Sequence, residues 1–148
     1  MTQKSGPFWD SVTGRAPLPP AAATLGLQLI DADPDAGTIE LAFEAKHEFT
    51  NPSGNVLGAY VAAMLYDTVG PALLATLRPD QFQATHDITV HFLRPVKPGR
   101  LVGKGLVIRR DGDLAHLEAS LIRDDGEIAA TATATATVIP LDQAATAV

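Results

Sequence analysis

The feature that most constrains the fold is an apolar stretch, Ala59–Leu77, which reads AYVAAMLYDTVGPALLATL. It contains a single carboxylate, Asp67, and segments with strand-like alternation lie on both sides of it in the sequence. A helix that is apolar on every face has to be buried. We therefore predict one long helix, over Gly58–Leu77, that a sheet covers on all sides.

The length of this stretch is also just sufficient to span a membrane. Asp67 lies near its centre, however, where a carboxylate disfavours insertion by roughly 2.5–3.5 kcal/mol. Ala, Thr and Gly outnumber Leu and Ile, so little hydrophobic gain offsets that penalty. The N-terminal sequence MTQKSGPFWD lacks the apolar core of a secretory signal. We expect a core helix in a cytoplasmic protein.

Two strands are predicted before the long helix. Leu25–Ala32 is the first, and Asp33–Gly37 has the residue types of a turn. The second, Thr38–Glu44, places three large apolar side chains on one face. The alternation and the turn together predict a hairpin.

The two ends of the chain are predicted to lie outside the main domain, which covers residues 23–141. Residues 1–22 form an N-terminal arm with a short helix over Pro7–Val12. The proline-rich stretch Arg15–Ala23 is predicted to be an extended connection. Residues 142–148 are predicted to be a loose C-terminal tail.

Four strands are predicted after the helix, beyond a loop over Arg78–Gln83. Short turns rich in Gly, Pro and Asp separate them. The last strand contains a strict Ala/Thr alternation, and its alanine stripe allows another element to approach the sheet closely. The predicted strands are Thr85–Leu93, Leu101–Arg110, Leu114–Arg123 and Ile128–Ile139.

This element order predicts an α+β fold with one antiparallel sheet and one buried helix. A single sheet covers a helix on all sides only by curling around it. The edges or the outer face of such a sheet then remain open to a partner. We therefore expect a homo-oligomer.

Composition excludes several classes of function. The net charge of −6 argues against nucleic acid as the main partner. The chain has no cysteine, which removes disulfides and thiolate chemistry. The four histidines show no metal-binding spacing, so we expect no metal site.

The most informative candidate for chemistry is Asp67, because an apolar helix should raise the pKa of its carboxyl group. The alternative is that this carboxylate hydrogen-bonds backbone or a second protomer. Pro71 lacks an N–H, so the Asp67 carbonyl should lose its helical partner and the helix should kink or loosen there. His86 alternates with Ile88 and further apolar residues, which indicates a core or interface histidine.

Two short segments resemble motifs of a known family. Asn51–Gly58 followed by Asp67 is similar to the N-x-x-G-x-x-H-G-G…D motif of acyl-CoA thioesterases, and Thr85–Pro95 is similar to the T-x-x-L-x-V-x-F-L-R-P strand of the same family. These are the PaaI-like members of the 4-hydroxybenzoyl-CoA thioesterase superfamily, which have the hotdog fold. The resemblance covers residues 23–140 and departs from the motif at three positions, one of which is Ala59 in place of the second Gly. Leu57 stands where the family has His or Gln, and Tyr66 stands in the slot of the catalytic Asp.

The resemblance implies hydrolysis of an acyl- or aryl-CoA thioester by a carboxylate-assisted water. Asp67 is then the base or nucleophile, with Tyr66 beside it. Adjacent helical residues point about 100° apart, so we expect only one of the two to face the thioester unless the helix is distorted. Gly58 suits an oxyanion hole because backbone N–H groups are free at a helix start, although a turn glycine is an equal alternative.

The remaining parts of the hypothesis concern positioning, assembly and CoA binding. Asn51 either orients a water or the thioester, or only caps the loop. The resemblance implies that Thr85 reaches the attacking water across a dimer. No cofactor is implied beyond the CoA of the substrate, and the active sites are shared between the subunits of a homodimer or homotetramer. Candidates to meet the CoA phosphates are Arg94, Lys97, Arg109 and Arg110.

Two rival functions remain open. The first is a hotdog domain that binds an acyl-CoA, an aryl-CoA or another apolar ligand without hydrolysing it, which Leu57 and Tyr66 favour. The second is a hydratase or dehydratase on the same fold. That chemistry usually requires a His beside the acid, and Leu57 argues against it.

Overall fold

A six-stranded antiparallel sheet and one long helix form the frame of the computed structural model, which describes residues 4–148. Two short 3-10 helices, His47–Phe49 and Leu141–Thr146, lie outside the regular elements. The helices are α1 (Pro7–Val12), α2 (Pro20–Thr24) and α3 (Gly58–Leu74), and the strands are β1 (Gln28–Asp33), β2 (Thr38–Ala45), β3 (Gln81–Phe92), β4 (Gly99–Asp111), β5 (Leu114–Ile122) and β6 (Ile128–Pro140). This is the hotdog arrangement, and the predicted α+β fold class is confirmed.

The two ends of the chain are more ordered than the sequence predicts. The first three residues of the predicted arm lie outside the described residues. The arm contains the expected helix α1, but the stretch predicted to be extended also contains α2, which begins at Pro20 because proline suits the first position of a helix. The tail forms a 3-10 helix, and the Leu141 N–H donates to the Asp80 carbonyl at 2.8 Å. The expectation of a loose tail is wrong for this segment.

The order of strands in the sheet is β1-β2-β4-β5-β6-β3. β3 does not pair with the strand that follows it, but lies at the sheet edge against β6. The chain therefore crosses from the edge to the middle of the sheet between Phe92 and Gly99. β1 forms the other edge and pairs with β2 as the predicted hairpin.

Small residues allow α3 to lie close to the sheet. On β4, an added Cβ at Gly103 would lie 2.4 Å from Thr68 Oγ1, and one at Gly105 would lie 3.0 Å from Ala72 Cβ. The alternation in β6 has the predicted effect, since Ala130, Ala132, Ala134 and Ala136 are all buried. Larger side chains at these positions would push the helix away from the sheet.

The helix α3 is buried on every face in its C-terminal half only, whereas in its N-terminal half Val61, Met64 and Leu65 are buried on one side. Every residue from Thr68 to Leu73 is buried, whereas Ala59 is exposed and Ala62 is half-buried. The prediction of burial on all faces is wrong for the N-terminal half, because the sheet of one chain covers one side of it. The helix remains α-helical on both sides of Pro71, and the kink or loosening expected near Asp67 stays a prediction.

The end of α3 comes earlier than predicted. The helix stops at Leu74 because the last turn tightens, with Thr76 and Leu77 donating to carbonyls three residues back. Within residues 4–148, no helix has both the length and the apolar character that a membrane crossing requires.

Candidate active site

The loop that enters α3 is organised by the side chain of Asn51. Its Oδ1 accepts hydrogen bonds from the backbone N–H groups of Ser53 and Asn55, at 3.0 and 3.1 Å, and from the Ser53 hydroxyl at 2.7 Å. Gly54 has φ +83°, a conformation that favours glycine. The side-chain Oδ1 of Asn51 thus caps the loop, and these hydrogen bonds fix the position of the helix start.

The N-terminus of α3 leaves backbone donors free of helical partners. Tyr60 and Val61 both donate to the Leu57 carbonyl, so the N–H groups of Gly58 and Ala59 come before the first helical bonds. A pocket of about 370 Å³ lies here, and its lining includes Asn51, Gly58, Phe92 and Arg94. We call it the loop pocket. It has the donors that an oxyanion needs.

A second, larger pocket of about 750 Å³ lies along the middle and C-terminal parts of α3. Tyr66 and Asp67 both line it, together with Gly70 and Gln83. We call it the Asp67 pocket. The helix is regular at this point, so the pocket borders more than one face of it and reaches both neighbouring side chains.

The Asp67 carboxyl group is electrostatically unusual. Burial raises its pKa from 3.8 to about 6, because a low-dielectric environment disfavours the charged form. Its Oδ2 atom is buried and has no hydrogen-bond partner within residues 4–148, and the same is true of the Tyr66 hydroxyl. Such atoms in a native protein are explained by strain, by a catalytic role or by a bound water or ion. The carboxylate is therefore suited to exchange a proton near neutral pH.

The sequence missed one polar side chain in this pocket, that of Gln83. It is only 6% exposed, and its Oε1 accepts a hydrogen bond from Thr85 Oγ1 at 3.0 Å. Its Nε2 would lie 3.1 Å from a Cβ at Gly70, so this glycine leaves room for the amide. Gln83 falls in the predicted loop, which is why it was overlooked. Extending the alternation of the strand back from Thr85 would have found it.

His86 lies on the opposite face of β3 from the one that the alternation predicts. The strand has a bulge between Thr85 and Asp87, and the extra residue reverses the direction of the following side chains. His86 is exposed and hydrogen-bonds the hydroxyl of Thr137 on the outer face of the sheet. It is not a core histidine, and neither His86 nor His47 lines either pocket.

The four predicted CoA-binding cations are not brought together. Arg94 lines the loop pocket and pairs with Glu127 at 3.4 Å. Lys97 lies in a neighbouring depression with Arg100 and Arg123. The remaining two lie at the β4–β5 hairpin and line neither pocket; Arg109 pairs with Asp111 and Arg110 bonds the Gly112 carbonyl.

The candidate residues of one chain divide between the two pockets. Asn51 and Gly58 lie at the loop pocket, and Tyr66 and Asp67 lie at the Asp67 pocket. Gly58 and Asp67 are nine residues apart on α3, which is about 13 Å along the axis. One thioester cannot contact both groups of the same chain.

Comparisons with known proteins agree with this architecture. Residues 47–138, more than half of the chain, match the family model described as acyl-CoA thioesterase N-terminal domain. No curated protein sequence matches the chain.

Solved structures give the same result. A phenylacetic acid degradation-related protein from Ralstonia eutropha JMP134 is 35% identical, with a TM-score of 0.84, over 88% of this chain and 98% of that one. The PaaI protein of the Escherichia coli phenylacetic acid degradation operon is 15% identical, with a TM-score of 0.78 over 89% and 93% of the chains. A Streptococcus mutans UA159 protein bound to acetyl-CoA is 16% identical, with a TM-score of 0.69 over 77% and 89%.

The last two similarities are of fold alone, whereas the family match and the Ralstonia protein also share sequence. On that basis the chain belongs to the acyl-CoA thioesterase family of hotdog-fold proteins, among its PaaI-like members.

Proposed function

We propose that this protein hydrolyses an acyl- or aryl-CoA thioester to the free acid and CoA, with Asp67 as the base that activates water. The observation that carries the proposal is the state of Asp67. It is the one carboxylate of α3, it lines the larger pocket, and burial raises its pKa to about 6. At pH 7 such a group is ionised in a ratio of about ten to one and still accepts a proton readily.

The chemical step follows from these positions. Asp67 removes a proton from water, and the oxygen of that water forms a bond to the thioester carbonyl carbon. Negative charge then develops on the carbonyl oxygen, where the Gly58 N–H and the helix dipole stabilise it. The tetrahedral intermediate collapses with cleavage of the C–S bond. The departing thiolate takes the proton back from Asp67.

Thr85 and Gln83 support this step from β3. The Thr85 hydroxyl donates a hydrogen bond to Gln83 Oε1. Its oxygen therefore keeps lone pairs that can accept a hydrogen bond from a water. The same hydrogen bond holds the Gln83 amide at the wall of the Asp67 pocket. Thr85 is buried and lines neither pocket of its own chain, so in this proposal it reaches the attacking water across the dimer.

A second copy of the chain completes the site in this proposal. The distance of about 13 Å between Gly58 and Asp67 within a chain is too long for one thioester, so these groups must come from different protomers. The edge strand β3 offers the surface, because it is twelve residues long and has no strand on its outer side. Pairing of two β3 edges would place the loop of one protomer near the helix of the other.

In this proposal the CoA portion of the bound substrate extends to the surface through the loop pocket. Arg94 lies in its lining, and Lys97 follows close behind in the sequence. Cations at these two positions suit phosphate groups. The acetyl-CoA held by the Streptococcus mutans protein of the same fold supports CoA as the ligand class.

The rival function is binding without hydrolysis. It is favoured by Tyr66, which stands in the family's acid slot and has a buried hydroxyl with no partner. If the wild type binds without hydrolysing, Tyr66→Asp should raise the rate of hydrolysis. If the wild type is active, the same substitution should add little to the rate. Turnover that survives Asp67→Asn but is lost in Tyr66→Phe would contradict the proposal and make the phenol the catalytic group.

Mixing two inactive variants tests the function and the shared site together. Asp67→Asn removes the base, and Gly58→Pro removes one backbone N–H at a helix position that accepts proline. Leu57 already has the extended conformation, φ −57° and ψ 137°, that a residue before proline requires. Each variant alone should lose about 10²–10⁴ of the wild-type kcat against a panel of acyl-CoA substrates.

A 1:1 mixture of the two, after subunit exchange, should recover about one quarter of the wild-type activity. Half of the random dimers are mixed, and each has one of its two sites intact. Free thiol released from CoA is the measured product. A wild type without turnover on any substrate of the panel would refute the hydrolytic function, and a mixture as inactive as its components would refute the shared site.

A further inference from the structure

We infer that the N-terminal arm and the C-terminal 3-10 helix of this chain build a subsite for the apolar acyl part of the substrate, and that they set the acyl length it accepts. This inference rests on the proposed hydrolysis at Asp67. It concerns segments outside residues 47–138, the part that matches the family model.

The walls of the Asp67 pocket come from the arm, α3, the segment over residues 78–83 and the C-terminal segment. The helix α3 contributes Pro71 and Leu74. The arm contributes Phe8, Trp9 and Leu18, and the C-terminal segment contributes Leu141, Ala144 and Ala147. The arm and the C-terminal segment line the same pocket beside α3, although they are far apart in the sequence.

The size of this pocket is that of a ligand site. Its volume of about 750 Å³ lies within the range of roughly 300–1,000 Å³ for small-molecule sites. Its lining is mainly apolar, with polar side chains contributed by the arm, by α3 and by the segment over residues 78–83. Besides Asp67 Oδ2 and the Tyr66 hydroxyl, the indole Nε1 of Trp9 is buried without a hydrogen-bond partner. Three of the unpaired buried polar atoms thus belong to residues around one pocket.

The charges around the pocket favour an acyl group over the CoA nucleotide. Among the described residues that line it, Arg78 is the one cation, and it pairs with Asp80 at 3.1 Å. Asp67 adds negative charge, which opposes phosphate, while Asp10 is paired with Arg15 at 3.0 Å. If the thioester carbonyl lies beside Asp67, one of its two substituents must lie against these apolar walls. The acyl chain is the uncharged substituent, so it is the one that fits there.

A series of straight-chain acyl-CoA substrates, from acetyl to dodecanoyl, tests the inference. Each methylene that enters the subsite should raise kcat/KM about fourfold, until the pocket is full. Ala144→Phe places a ring in the wall and should lower kcat/KM at least about tenfold for the long substrates, with acetyl-CoA changed less than about twofold.

The neighbouring residue provides a matched control. Ala145 is exposed and does not line the pocket, so Ala145→Phe adds the same ring to the same 3-10 helix outside the subsite. It should leave the length profile unchanged. Leu74→Ala enlarges the pocket from the helix side and should move the optimum to longer chains, which covers the case that Ala144→Phe does not fold.

Binding of non-hydrolysable thioether analogues of the same chain lengths separates this inference from the proposed function. If the wild type does not hydrolyse thioesters but its Kd for the analogues still falls with chain length, and Ala144→Phe abolishes that trend, hydrolysis is refuted and the subsite stands. If the wild type is active and neither wall variant differs from Ala145→Phe in either assay, the subsite is refuted alone. A wild-type length profile that is flat in both assays also refutes it.

Discussion

At the scale of single residues, Asp67 owes its properties to a mismatch between its charge and its surroundings. Its pKa is raised by burial, and its Oδ2 accepts no hydrogen bond from the described chain. A structural aspartate would normally be paired, because an unpaired buried charge is destabilising. Retaining such a group is consistent with a chemical role, in which stability is lost for reactivity.

Asp67→Asn should therefore increase stability while it removes activity. The folded-state pKa of about 6 lies above the unfolded value of 3.8, so folding takes up a proton between these pH values. The carboxyl contribution to stability is fully present below pH 3.8 and is lost as the pH rises through about 6. The shift corresponds to roughly 3 kcal/mol, so the variant should gain up to about that much relative to the wild type at pH 8.

Urea unfolding of both proteins at pH 4 and pH 8 measures this difference. The free energies of unfolding of the wild type and of Asp67→Asn should differ less at pH 4 than at pH 8. The acidic limb of wild-type kcat/KM should have its midpoint near the same pKa. An equal stability difference at both pH values would show that the carboxyl group is not buried in the native protein.

At the scale of elements, the distance between α3 and β4 is set by glycine. Gly103 lies directly under the buried side chain of Thr68, whose Oγ1 donates to the Met64 carbonyl at 2.7 Å. Thr68 lies one residue after Asp67, so this contact also fixes the height of the acid above the sheet. Glycine is required at position 103 because α3 approaches β4 closely there. Neither the sequence of β4 nor that of α3 shows this requirement by itself.

Gly103→Ala should consequently destabilise the protein by about 1–3 kcal/mol, the usual effect of overpacking a core. The new methyl group would lie 2.4 Å from Thr68 Oγ1 and 3.0 Å from the Phe43 ring. Thermal and urea unfolding provide the measurement. The double variant Gly103→Ala/Thr68→Ala should be less destabilised than the sum of the two single variants, because the second change removes the clash. Strict additivity would contradict the proposed contact.

At the scale of the whole molecule, one chain leaves surfaces that it cannot satisfy alone. The edge strand β3 is unpaired on one side, and Phe92 and Leu93 at its end are 59% and 55% exposed. The N-terminal half of α3 also has a face that the sheet does not cover. Long uncovered edges and apolar patches mark sites of association.

The assembly should be a dimer or a larger oligomer at micromolar concentration. Replacing the two exposed side chains, in the variant Phe92→Glu/Leu93→Glu, should shift the molar mass from light scattering toward that of a single chain and lower turnover with it. Ile108→Glu is the control, because Ile108 is 50% exposed on β4, away from that edge. A wild type that is already monomeric would remove the basis for the shared site.

The local pattern of the sequence determined much of this fold. The start of α3 at Gly58, the helix Pro7–Val12 and the β1–β2 hairpin follow from residue types that act within a few positions of one another. The same holds for Asp67, because a lone carboxylate in an apolar helix is visible without any structure. The family resemblance added the hotdog fold, which the comparisons confirm.

Only the tertiary structure decided what depends on residues far apart in the chain. The bulge at Thr85 is fixed by pairing with β6, and it moved His86 to the outer face against the local alternation. Gln83 became part of the site because Gly70 leaves room for it on α3. The pocket around Asp67 is lined by residues of the arm and of the C-terminal segment, which are far apart in the sequence, together with one helix. Local patterns describe neighbours along the chain, whereas a site forms where distant segments are brought together, and their contacts are set by the packing of the whole molecule.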